Sequence, residues 1–64
     1  MSITAITAIT AIDNMTCIDY HAKTICKETI MYYDNRSDLT AFQRDNLIVA
    51  SYNEYKRFVE RYAA

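Results

Sequence analysis

An all-α fold is what this sequence predicts, and three observations carry it. The 64 residues include no Gly and no Pro, whereas β-rich domains of this size turn sharply at φ > 0, which Gly or Asn-Gly supplies at least cost. Apolar residues recur at spacings of three and four over two long stretches, the period of an amphipathic helix. The concentrated polar cluster Asp34-Asn35-Arg36-Ser37-Asp38 falls between those stretches and reads as a short turn. The expectation is one helical domain, 1–64, arranged as an antiparallel hairpin of two long helices that associates into a helical bundle.

The elements follow in order. Residues 1–13 form a lead-in in which Ile-Thr-Ala repeats three times and ends on Ile12. A period of three matches neither the strand period of 2 nor the helix period of 3.6. On a helix the four Ile spiral across about half the circumference, since each step of three residues falls short of a full turn by roughly 60°. The segment reads as a lead-in partly ordered by packing, with a short helix as the alternative. Asp13-Asn14 is a plausible break and N-cap. A helix over 14–33 then carries the stripe Met15, Ile18, Ala22, Ile25, Cys26, Thr29 and Tyr33, with Asp19 and Lys23 as an acid-first i,i+4 pair. The turn spans 34–38, with Ser37 as the expected N-cap of the next helix. That helix, over 38–62, has the stripe Ala41, Ile48, Tyr52, Tyr55, Val59 and Tyr62, flanked by Phe42 and Val49.

Asp45 falls near the middle of this last stripe. A buried, unpaired carboxylate costs several kcal/mol, so Asp45 is expected to reach solvent, to be paired, or to mark a helix break. The opposite side of the same helix holds Leu39, Leu47, Ala50 and Phe58, and Tyr20 and Met31 lie opposite the stripe of the preceding helix. A helix apolar on two sides is buried on two sides. Something beyond a lone hairpin is therefore expected to cover these faces.

Composition narrows the functional classes. The chain is 52% hydrophobic with six Tyr and two Phe, too apolar for a disordered segment. No stretch approaches the ~20 apolar residues of a membrane span, and the lead-in lacks the basic region of a signal peptide. A net charge of −1 provides no broad field for nucleic acid. Cys17 and Cys26, if on one helix, lie roughly 13 Å apart, too far for a mutual disulfide. Two free thiols suggest a reducing, cytoplasmic setting.

No catalytic site, metal site or cofactor is expected. Asp13, Cys17 and His21 would share a helix face, yet zinc takes about four ligands and no second Cys/His pair exists. The Cys17–His21 pair has the residue types of an activated thiolate but no third, orienting group. Lys56, Arg57 and Arg61, interleaved with Tyr55, Phe58 and Tyr62 and extended by Arg36 and Arg44, suit phosphate contact and base stacking. Glu54 and Glu60 sit in the same turns, positioned for Glu54–Arg57 and Arg57–Glu60 pairs. Tyrosines offer large apolar bodies with polar tips, a profile enriched at protein interfaces.

The expected function is a small, non-catalytic interaction module, an inhibitor or adaptor of a larger protein. Its partner-binding set would be Tyr20, Met31, Leu39, Leu47, Phe58, Tyr32, Tyr55 and Tyr62. Such chains are frequent in phages and mobile elements, where they act on host or defence machinery. A homodimer is compatible with these faces. The alternative is a small dimeric nucleic-acid-binding regulator using Arg36, Arg44, Lys56, Arg57 and Arg61.

Overall fold

Three helices and no strand make up the described residues, 1–16 and 19–63, of the computed structural model: α1 (Ile3–Asp13), α2 (Tyr20–Asp34) and α3 (Ala41–Ala63). The all-α expectation holds. Cys17 and Ile18 lie outside the described residues, and with them the Asp13–Cys17–His21 face.

The Ile-Thr-Ala segment is a helix. Ser2 caps it, its Oγ accepting from the Ala5 N–H at 3.2 Å, which satisfies one of the four N–H groups a helix start leaves open. The spiral set by the period of three is visible in the burial. Ile3 is 83% exposed, Ile6 49%, Ile9 half-buried and Ile12 0%. Ala5 and Ala8 are the other residues of the inward face. The repeat thus supplies a narrow buried edge of Ala5, Ala8 and Ile12, at i, i+3 and i+7, and sends two Ile outward.

The second helix begins at Tyr20, not at 14. Asn14 closes α1, its N–H donating to the Thr10 carbonyl at 3.1 Å, so the polar pair ends one helix without starting the next. The N-cap is Asp19, whose Oδ1 accepts from the N–H groups of His21 at 3.0 Å and Ala22 at 3.2 Å. Asp19 is therefore occupied by the backbone and does not pair with Lys23. The Lys23 ammonium donates instead to the Asp13 carbonyl at 3.3 Å, a favourable cation at the C-terminal end of α1. Asn35 closes α2 with both its backbone N–H and its Nδ2 on the Met31 carbonyl.

The third helix starts at Ala41, and Thr40 caps it where Ser37 was expected. Gln43 N–H donates to Thr40 Oγ1 at 3.1 Å, and Thr40 N–H donates to Gln43 Oε1 at 3.0 Å. This is the reciprocal capping box, Thr-x-x-Gln. Ser37 and Asp38 belong to the connection, where Arg36 grips Asp38 with Nε and a second guanidinium nitrogen and lies 5.7 Å over the Tyr32 ring. No break occurs at Asp45. The helix runs through it unbroken, and the half-exposed carboxylate accepts from Arg44 Nε at 3.2 Å.

Every helix contributes to one core of Ala5, Ala8, Ile12, Cys26, Ile30, Ile48 and Tyr55. Ile12, Ile30 and Ile48, one per helix, are its largest fully buried side chains. Ile30 was outside the expected stripe of the second helix, whereas Ile25, inside it, is half exposed. The helices touch pairwise. Ser2 N–H meets the Asp34 carboxylate at 3.3 Å and Asp13 meets Lys27 at 2.7 Å, so the start of α1 lies at the end of α2. The molecule measures 37 × 16 × 15 Å, and α3 alone spans about 35 Å at 1.5 Å per residue. The shorter α1 and α2 cover only part of that rod.

Candidate interaction surfaces

Two grooves flank α3. The first lies between α2 and α3 and is lined by Ala22, Ile25, Thr29, Ser51, Glu54 and Phe58, with Cys26 and Tyr55 at its base. Its position follows from helix spacing: Ser51, Tyr55 and Phe58 lie on the α2 side of α3 at i, i+4 and i+7. The Cys26 thiol donates to the Ser51 carbonyl at 3.5 Å. Desolvation by burial pushes this thiol up from its ordinary value, and the Glu54 carboxylate adds to the shift. Cys26 is thus held as the neutral thiol, the less nucleophilic form. Ring contacts continue down α3 from Tyr55 to Phe58 at 6.2 Å and from Phe58 to Tyr62 at 4.7 Å.

The second groove lies between α1 and α3, lined by Ile3, Thr4, Thr7, Ala8, Ala11, Val49, Tyr52 and Asn53. Every one of those residues is uncharged. Its floor is shallow because α1 presents only Thr and Ala there, and its rims are the outward Ile3 and the half-exposed Val49. Phe42, 75% exposed, stands two turns from Val49 on the same side of α3.

The expected partner-binding residues do not gather on one face. Tyr20, 77% exposed, opens α2; Tyr32 and Tyr62 are exposed near the ends of α2 and α3. Met31 and Leu47 are half-buried on their helices, and Leu39 is half-buried in the connection. Phe58 is half-buried and packs on the core, and Tyr55 belongs to the core itself. Tyr55 is thereby removed from the outer surface. Ile3 and Phe42, the two most exposed apolar side chains outside that set, and the half-exposed Val49 were legible only as the end of the Ile spiral and as stripe flanks.

The basic set is split. Arg36 and Arg44 are held by Asp38 and Asp45, and hydrogen bonding to Asp38 raises the Arg36 pKa further while holding Asp38 below the usual carboxylate range. Arg57 and Arg61 share an outer face at i and i+4, and Lys56 lies about 100° away on the α1 side. All three are exposed, and neither Glu54–Arg57 nor Arg57–Glu60 closes into an ion pair among the described residues.

Among the described residues no three His, Cys, Asp or Glu side chains come together as a metal site requires, and no helix is long and apolar enough to cross a membrane. Compared with protein families, curated proteins and solved structures, the chain matches none of them.

Proposed function

We propose that the chain is a non-catalytic protein-binding module, an α2–α3 hairpin closed by α1, that acts as an inhibitor or adaptor by seating a segment of a larger protein in the α2–α3 groove. The observation behind this reading is the apolar surface left outside a closed core. The accessible surface of 4421 Å² is close to the ~4,200 Å² typical of a folded monomer of this mass. The exposed Ile, Phe and Tyr side chains are therefore surplus to a finished fold, not the product of an open one. Clustered exposed apolar groups mark interaction sites. The α2–α3 groove combines an apolar wall (Ile25, Phe58), a buried aromatic base (Tyr55) and the rim carboxylate of Glu54, the make-up of a binding hot spot with a polar edge.

The test is affinity capture from the native host with the intact chain and with Ile25→Asp, whose side chain is half exposed and outside the core. One protein retained by the parent chain and lost by the variant, with unchanged helicity by circular dichroism, is the expected result. Equal retention by both chains, or retention by neither, overturns the reading. With Lys56 on a different face from Arg57 and Arg61, and Arg36 and Arg44 paired with Asp38 and Asp45, the basic set does not favour the nucleic-acid alternative.

A further inference from the structure

The α1–α3 groove carries a pattern that the partner-binding reading does not use. Along its edge of α3, Phe42, Asp45, Val49, Tyr52, Lys56 and Val59 follow one another at alternating steps of three and four. That spacing keeps six residues on one seam of a helix, as in a coiled coil. Tyr52 and Val59 lean on the core from this seam, while Phe42 and Val49 stand exposed.

The seam is complementary to itself when reversed. About the midpoint between Ala50 and Ser51, Phe42 is placed opposite Val59, Asp45 opposite Lys56 and Val49 opposite Tyr52. A two-fold interface requires this relation, since residue i meets j and j meets i. Apolar residues meet apolar ones, and the seam's one acid meets its one base twice. The remaining groove lining is uncharged, so the charges brought together are those of Lys56 and of Asp45 with its Arg44 partner. Thr4, Thr7, Ala8 and Ala11 on α1 are small enough to let another helix come close.

We propose that α3 pairs antiparallel with α3 of a second copy of this chain along the α1–α3 groove, with Asp45 of each copy meeting Lys56 of the other. A standard interface of ~800 Å² per partner occupies about a fifth of the 4421 Å² surface. Asp45, the carboxylate set beside an apolar stripe, then has a role in register: Arg44 holds it within the chain, and Lys56 engages it across the two-fold. The proposal concerns a different face from the α2–α3 groove and stands or falls separately.

The test uses the purified full chain alone, by sedimentation from about 1 to about 500 µM, the range in which dimers of modest affinity form. A mass of twice 7.5 kDa is expected to develop with concentration. Asp45→Lys and Lys56→Asp each place like charges at both contacts, and each is expected to weaken dimerisation at least tenfold. An equimolar mixture of the two single variants is expected to dimerise as the parent does, because each then supplies what the other lacks. Ile3→Glu, at a side chain 83% exposed, is a further disrupting variant, and circular dichroism confirms that each variant keeps its helices. A parent chain that stays monomeric throughout, single variants that dimerise like the parent, or a mixture no better than its components overturns the proposal.

Discussion

Four isoleucines of one repeat occupy four environments because three residues are not a helical turn. Ile12 is fully buried and Ile3 is 83% exposed, though both belong to one run. The same residue type should therefore respond to truncation in opposite ways. Ile30→Ala or Ile48→Ala removes a side chain from the centre of the core and costs about 2–5 kcal/mol. Against a total of roughly 3–10 kcal/mol for a chain of this length, that brings the molecule to the edge of unfolding at room temperature. Ile3→Ala is expected to stay within about 0.5 kcal/mol. Thermal melts followed by circular dichroism check both. Equal losses at Ile3 and Ile48 would contradict the placement of the α1 spiral.

The helices differ in what starts them. Both Asp19 and Thr40 are caps that satisfy backbone N–H groups, but only Thr40 is answered by a reciprocal bond, from its own N–H to Gln43. Ser37, a residue type that caps helices at least as well as Thr, lies in the connection beside the Arg36–Asp38 pair. Thr40→Ala is thus expected to cost about 1 kcal/mol, a fall in Tm of roughly 4–8 °C for a domain of this size. Ser37→Ala should leave Tm nearly unchanged. The reverse order would place the start of α3 at the turn. At the same scale, the seam from Phe42 to Val59 is a property of α3 as an element, since no single residue of it announces a pairing surface.

At the scale of the molecule, α1 is tied to α2 at both ends by carboxylates. Lys27 donates to Asp13 at 2.7 Å, and the Ser2 N–H donates to Asp34. The Lys27 hydrogen bond holds Asp13 below the usual carboxylate range, and Asp13 in turn raises Lys27. Hydrogen bonding from Ser2, side chain before backbone, does the same for Asp34, with the chain's amino terminus and Arg44 adding to it. Folded values below the unfolded ~3.9 mean that the unfolded chain binds more protons in acid. The contribution is complete above about pH 5 and is lost as pH falls through the depressed folded values. Urea midpoints at about pH 7, 4 and 2.5 should fall in that order, and Asp13→Asn/Asp34→Asn should flatten the fall. A double variant as acid-sensitive as the parent would show that these ties do not hold α1.

Helical class was decided by local chemistry: no Gly or Pro, good spacing of apolar residues, and a polar cluster to turn on. These are properties of neighbouring residues, so they can be read before any packing is known. The spiral of the Ile-Thr-Ala repeat was likewise legible, but not which edge of it would be buried. That depended on α1 lying against α2 and α3, which made Ala5, Ala8 and Ile12 the inner face. Boundaries were missed where two local signals competed, Asp13-Asn14 against Asp19 and Ser37 against Thr40; the bonds from His21 and Ala22 to Asp19 and the reciprocal Thr40–Gln43 pair mark where α2 and α3 start. The prediction that helix faces would be left over was a statement about periodicity. Their identity was not, because Phe58 and Tyr55 turn inward while Phe42, Val49 and Ile3 stay out, and only the positions of all three helices fix which stripe of α3 the core consumes.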